Sequence, residues 1–340
     1  MPETGPYSNL EQLINTLNLQ LPRRTTSGRS LRLLGLTIII LSLFTGRFLG
    51  WQSELSIEYG FKSLGLLISL GAILFLFVGY KVFVAGRQRE QAIKSYNVIQ
   101  ETRRPILYLR SFADDDPGVT IRRYLKAFYR PFYFNQVLFP PEEGLANALA
   151  PIGPMLAIGQ PGEHLPNIGA VRVYSSPRGD KWKNDVSQLL QACQLIIIKA
   201  GITEGLQWEF QEVFRSTPPE KILLHVDLPK SEYQDFAQRF QEWTQIELPA
   251  NPIGIMKCPF FIYFWGDFHP TAIPIKSPFV RQRMFQVNTS PFLYSLRYLF
   301  EQRSINWQKP RRNWYFLLLF ALLGSIILII VLLILLQLFI

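Results

Sequence analysis

The chain has 340 residues, 48% of them hydrophobic, and a formal net charge of +10. The charge is unevenly spread: residues 1–104 carry 12 Lys/Arg against 6 Asp/Glu and residues 297–340 carry 5 against 1, whereas residues 105–296 carry 18 of each. The excess flanks apolar stretches and the centre is neutral, so a nucleic-acid groove lacks its electrostatic footing; two cysteines, Cys193 and Cys258, build no disulfide framework, as expected in a reducing compartment.

Residues 1–32 read as a polar cytoplasmic tail with a short amphipathic turn at Leu10, Ile14 and Leu17. Two apolar stretches follow, about 33–51 and 64–84, broken only near their ends by Arg47 and Lys81. Roughly 20 apolar residues span a bilayer as a helix, so both read as transmembrane helices. The polar leader before the first is too long for a signal peptide. Gly46 and Gly50 have the GxxxG spacing but stand at the end of the span, where they read as interfacial glycines. A charged connector covers 85–104. A third span, 314–340, has no charge from Tyr315 to Ile340.

Arg23, Arg24, Arg29 and Arg32 precede the first span, Arg87, Arg89 and Lys94 follow the second, and Lys309, Arg311 and Arg312 precede the third. The loop between the first two holds Glu54 and Glu58 and no Lys or Arg before residue 62. The positive-inside rule then puts the N-terminus and the domain between the spans in the cytoplasm and the C-terminus across the membrane. The lipid bilayer is the expected partner, and nucleic acid is not.

From residue 105 to 248, short apolar runs alternate with helical periodicity. Strands are expected at Ile106–Arg110, Met155–Ile158, Ala170–Tyr174, Leu195–Lys199 and Lys221–Val226. Helices are expected after Pro141, around Trp182–Leu190, from Leu206 and over Ser231–Trp243. This predicts a doubly wound, mainly parallel α/β sheet flanked by transmembrane helices. Residues 119–139 read as an aromatic and basic insertion. Residues 249–313 form a Pro- and aromatic-rich extension, with a strand at Phe260–Trp265, that returns to the membrane.

The chain is organised around Cys193–Phe210. An apolar β-branched run, a turn bracketed by Gly201 and Gly205, and Leu206, Phe210, Val213 and Phe214 at helical spacing read as strand, loop and helix. Glu209 lies about 60° from Leu206 on the helical wheel, at the border of the buried face, and Trp208 lies nearly opposite. Open α/β sheets bind ligands at this carboxyl edge. Glu209 is the candidate catalytic residue, read equally well as a first-turn carboxylate on the helix dipole.

Arg110 and Ser111 at the first strand end, Asp114 in the turn behind them, Gly159 and Gly162 in the next loop, and Trp208 are candidate ligand-binding residues. Turn formation, salt bridging and packing explain the same residues without a ligand. No GxxxxGK[ST], GxGxxG, GxSxG or HExxH occurs and the three histidines are isolated, so no metal site is expected.

From Pro105 to Val226 the order of elements resembles a divergent bacterial TIR (Toll/interleukin-1 receptor) domain. Ile106–Ser111 stands at the family's first strand and Ser-containing loop, Met155–Pro166 at the second strand and loop, and Gly205–Phe214 at the helix bearing its Trp and Glu. The resemblance implies a flavodoxin-like sheet and self-association in a bacterial inner (plasma) membrane. It also implies cleavage of NAD at the nicotinamide bond by Glu209, with NAD as substrate or ligand and no resident cofactor. The alternative is a non-catalytic nucleotide-sensing or scaffold module.

Overall fold

Alternation within each strand decides how this chain is layered. The computed structural model describes residues 10–56, 62–112, 140–160, 163, 165–175, 181–250, 259–275 and 292–305, with the backbone alone for 43–56, 62–69 and 294. Strands β1 (Ile106–Leu109), β2 (Met155–Ile158), β3 (Val171–Val173), β4 (Leu195–Lys199) and β5 (Ile222–Val226) pair in parallel. β6 (Phe260–Phe264) and β7 (Pro270–Pro274) continue antiparallel, past the expected domain boundary at 248.

The seven-stranded sheet has the order β3-β2-β1-β4-β5-β6-β7. β1 is central, with Ile106 opposite Met155 on one side and Leu195 on the other. β7 closes one edge with a proline at each end, which denies that edge donors for further pairing.

On β1 and β4, Leu107, Leu109, Ile196 and Ile198 point to one face of the sheet, and Ile106, Tyr108, Leu195 and Ile197 to the other. Helices α1 (Leu10–Leu17), α5 (Lys181–Ala192), α6 (Glu204–Ser216) and α7 (Lys230–Thr244) cover the first face. Helices α4 (Pro141–Leu149), α8 (Phe292–Ser295) and α9 (Arg297–Gln302) cover the second. The mixed α/β fold is thus three-layered, with the strands of the parallel part buried on both sides, which is why β1, β2 and Leu195–Ile198 of β4 read as unbroken apolar runs.

The segment read from sequence as a tail is core. Leu10, Leu13, Ile14, Leu17 and Leu19 are all buried in the first face. Gln20 then bridges to Tyr174 beyond β3, its N–H donating to the Tyr174 carbonyl (2.9 Å) and its own carbonyl accepting from Tyr174 (2.8 Å).

Helices α2 (Arg29–Ser56, 28 residues) and α3 (Lys62–Val98, 37 residues) form a hairpin. At 1.5 Å per residue α3 is about 55 Å long, well beyond the ~30 Å of a hydrocarbon core. It runs without a break through the expected connector. Among the described residues, Leu70–Val98 is long and apolar enough to cross a membrane by length and composition. Leu33, Leu34, Leu41, Leu70, Leu74 and Phe75 face outward along the hairpin.

The seam between the helices is made of glycine at two levels. A Cβ on Gly28 would stand 1.9 Å from the Gly86 carbonyl oxygen, and one on Gly35 would stand 2.3 Å from the Phe83 nitrogen and 2.6 Å from the Gly79 oxygen. Both pairs are spaced seven residues apart along their helices, so the backbones touch at each level and no side chain fits between them. The Arg32–Glu90 pair (2.6 Å), Thr25 Oγ1 donating to the Arg89 carbonyl (3.2 Å) and Tyr96 OH donating to the Pro22 carbonyl (2.7 Å) hold the base of the hairpin.

Gly35→Leu is expected to destabilise the protein by about 1–3 kcal/mol through overpacking of this seam. Gly71→Ala, where a Cβ meets nothing within 4 Å, leaves stability unchanged or slightly raised. Thermal unfolding of both variants in the same detergent checks the contrast.

Candidate functional site

The strand order creates the site before any side chain is considered. From β1 the chain winds outward to β3, then returns to β4 on the other side of β1. The loops leaving β1 and β4 therefore part, and the crevice between them is where doubly wound sheets take ligands. Arg110, Ser111 and Phe112 line the β1 exit, and Ala200, Gly201 and Ile202 the β4 exit. Phe112 and Ile202 are exposed there.

Leu206, Phe210 and Val213 anchor α6 on the sheet. The Phe210 ring lies 5.5 Å from Phe240 and 5.8 Å from Trp243, and Phe214 lies 4.9 Å from Phe264, so α6, α7 and β6 share one aromatic cluster. Such pairs add about 0.5–1.5 kcal/mol each beyond their area. Glu209, next to Phe210, is thereby held on a rigid helix at the border of the core.

Glu209 is half-buried as a residue, but its Oε2 is enclosed and has no hydrogen-bond partner among the described residues. Burial, opposed in part by the Arg110 guanidinium, pushes its carboxyl up from 4.5 to about 8. At neutral pH the group is therefore mainly a neutral acid, poised to ionise when a ligand supplies hydrogen-bond donors.

Arg110 is engaged from behind. Its side chain is 4% exposed and its Nε lies 3.2 Å from Glu142 Oε2. Glu142, in the first turn of α4, also meets Arg172 of β3, which is fully buried: Nη1 lies 2.7 Å from Oε1, and Nη2 donates to Oε2 at 3.1 Å. The Ala170 N–H donates to Glu142 Oε1 at 3.0 Å. Burial raises the Glu142 carboxyl, but Arg172, Arg110 and these hydrogen bonds together hold it below its usual 4.5. Gly169 makes room for it: its φ is +143°, and a Cβ there would collide with the Glu142 side chain at 2.7 Å.

Neither Glu142 nor Arg172 is among the candidates singled out from the sequence. The signal was present in a cation in the middle of the expected buried strand Ala170–Tyr174, since such a charge requires a partner.

The other expected site residues are placed differently. A Cβ on Gly159 would stand 2.3 Å from the Tyr174 ring, and its N–H donates to the Val173 carbonyl at 2.9 Å, so this glycine admits Tyr174. Trp208 packs edge-on against Trp182 of α5, ring centroids 5.0 Å apart, with Lys183 beside both rings. Ser111 accepts through its carbonyl from Arg110 Nη1 at 3.4 Å. Asp114, Gly162, the insertion at 119–139 and the third apolar stretch lie outside the described residues. Among the described residues no group of three or more His, Cys, Asp or Glu is placed to hold a metal ion. Comparison with protein-family models, with characterised proteins and with solved structures finds no match for this chain.

The cluster sets two pH responses of opposite sign. Glu142, depressed in the folded state, stabilises above about pH 4.5 and loses that contribution as the pH falls through its folded value. Arg172→Met leaves the carboxylate buried with Arg110 alone. The expected cost is about 3–5 kcal/mol, with acid unfolding starting at higher pH, as thermal melts from pH 7 downward will read. Glu209, raised in the folded state, holds its proton between about 4.5 and 8 while the unfolded chain has lost it, so its contribution falls as pH rises across that window. Glu209→Gln removes this slope. Relative to the parent, its melting temperature should climb from about pH 5 to about pH 8 and level off above that.

Proposed function

We propose that this chain is a membrane-anchored TIR-like protein that binds NAD or a related nucleotide in the β1/β4 crevice and cleaves its nicotinamide–ribose bond at Glu209. The observation that carries the reading is the enclosed, unpartnered Oε2 of Glu209 above the switch point of the sheet. A buried polar atom without a partner is costly, and a ribose hydroxyl supplies the hydrogen bond that the protein withholds. The strand order adds support: with β3 set aside as an extra edge strand, β2-β1-β4-β5 follow the flavodoxin-like succession.

In this reading the ionised Glu209 faces the ribose. As the C1′–N bond breaks, its electron pair passes to the pyridinium nitrogen and nicotinamide leaves neutral. Positive charge develops at C1′, where a carboxylate in a water-poor site stabilises it. Water then adds to C1′ and releases a proton, giving ADP-ribose. Arg110 helps Glu209 ionise, and Glu142 holds Arg110 in place. The outward apolar faces of α2 and α3 favour a hairpin embedded in the bilayer. The flanking cations set the α/β domain in the cytoplasm, and the last apolar stretch completes a third span. Anchoring in the plane of the membrane raises local concentration and favours self-association.

One observation favours a second reading, non-catalytic nucleotide sensing. Arg110, expected to meet a phosphate, is enclosed and turned to Glu142.

Purified protein in nanodiscs should release nicotinamide from NAD at a rate that rises with pH as Glu209 ionises, toward about pH 8. Glu209→Gln should lower the rate at least about 100-fold with folding intact. Nucleotide-dependent thermal stabilisation without nicotinamide release, at high protein density as well as low, would favour the sensing reading.

A further inference from the structure

Two neighbouring carboxylates in the first turn of α4 serve different masters. Glu142 reaches back to Arg172 and Arg110, whereas Glu143 pairs with Arg87 of α3. Four residues after Arg87, on the same face of α3, the Gln91 amide donates to the carbonyls of Gly169 (2.9 Å) and Ala170 (3.3 Å). The Ala170 N–H in turn donates to Glu142. α3 therefore grips the Glu142 environment at two points, one through the helix turn and one through the backbone before β3. Gln91 is buried and the Arg87 and Glu143 side chains are partly so, which strengthens both contacts.

We propose that this grip transmits displacements of α3 through the first turn of α4 to Arg110 and so to Glu209, making the crevice responsive to the state of the hairpin in the bilayer. The proposal rests on the reading of Glu209 as the reacting group. Charge interactions are steep at the 3.2 Å separating Arg110 Nε from Glu142 Oε2, and the same guanidinium opposes the effect of burial on Glu209, so a shift of Glu142 that moves Arg110 changes its pull on Glu209.

Among the described residues, Arg110 is the charge that acts on Glu209. α7 presents Phe236, Phe240 and Trp243 to Phe210, while α5 presents Trp182 and Lys183 to Trp208. On α6 itself, Glu212 is taken by Arg215 and Ser187. With α3 in place, Arg110 stays with Glu142. With α3 displaced, its charge shifts toward Glu209 and favours the carboxylate.

The test uses the full chain in nanodiscs and follows the unfolding temperature against pH for the parent, Arg87→Gln and Glu143→Gln, each with and without Glu209→Gln. The difference within each pair reports the titration of Glu209 without reference to turnover. Both variants are expected to move that titration down by at least about half a pH unit. Shorter and longer acyl chains, which change helix tilt, should move it in the parent but not in Arg87→Gln. An unmoved titration in two well-folded variants, or a lipid effect that survives Arg87→Gln, overturns the coupling. A shifted titration upholds it even where no nicotinamide is released, a result that retires only the catalytic reading. Turnover with no shift retires only the coupling.

Discussion

One carboxylate shared by two buried arginines organises the carboxyl edge of the sheet. Arg172 lies wholly inside the sheet edge and Arg110 almost so, and Glu142 is the acid that meets both. Removing either cation from water is expensive, and the mutual attraction offsets that only while all three groups keep their geometry. The consequences spread outward. Gly169 must adopt a backbone that leaves room for Glu142, α4 must start where its first turn reaches β3, and Arg110 is committed to Glu142 at the β1 exit. A triad of this kind adds little net stability compared with apolar packing, but it ties three elements distant in sequence to one arrangement.

The second constraint is the glycine seam. With backbones in contact near Gly28–Gly86 and Gly35–Gly79, α2 and α3 behave as one body, and α3 continues from that body to the β3 edge. The N-terminal segment closes the circuit by burying α1 in the first face and pairing Gln20 with Tyr174. The hairpin is consequently built into the domain at three places and is no flexible tether. In the membrane-anchored reading proposed above, such a joint gives the domain a fixed orientation.

Much of this was readable from residue order. Leu195–Ile198 is a buried strand because its apolar run is short, β-branched and unbroken. Glu209 falls beside the core because helical periodicity places it one position before Phe210. The tail was misread for a physical reason: Leu10, Leu13, Ile14 and Leu17 form a good amphipathic stripe, but a stripe does not state what it lies against. Helix α3 runs on to Val98, inside the charged connector, where Arg87 finds Glu143 of α4 and Gln91 the backbone before β3, partners that local charge density does not reveal.

Local pattern therefore sufficed for the element types, for the two-sided burial of the parallel strands, for the outward apolar hairpin and for the placing of Glu209 on its helix, because each depends on periodicity within a dozen residues. The order of the strands, the pairing of Glu142 with Arg110 and Arg172, and the contact of α3 with α4 depend on groups separated by roughly 30 to 90 positions in the chain. Those relations exist only once the sheet is assembled, when desolvation forces every buried charge to find the partner that the fold has brought within reach.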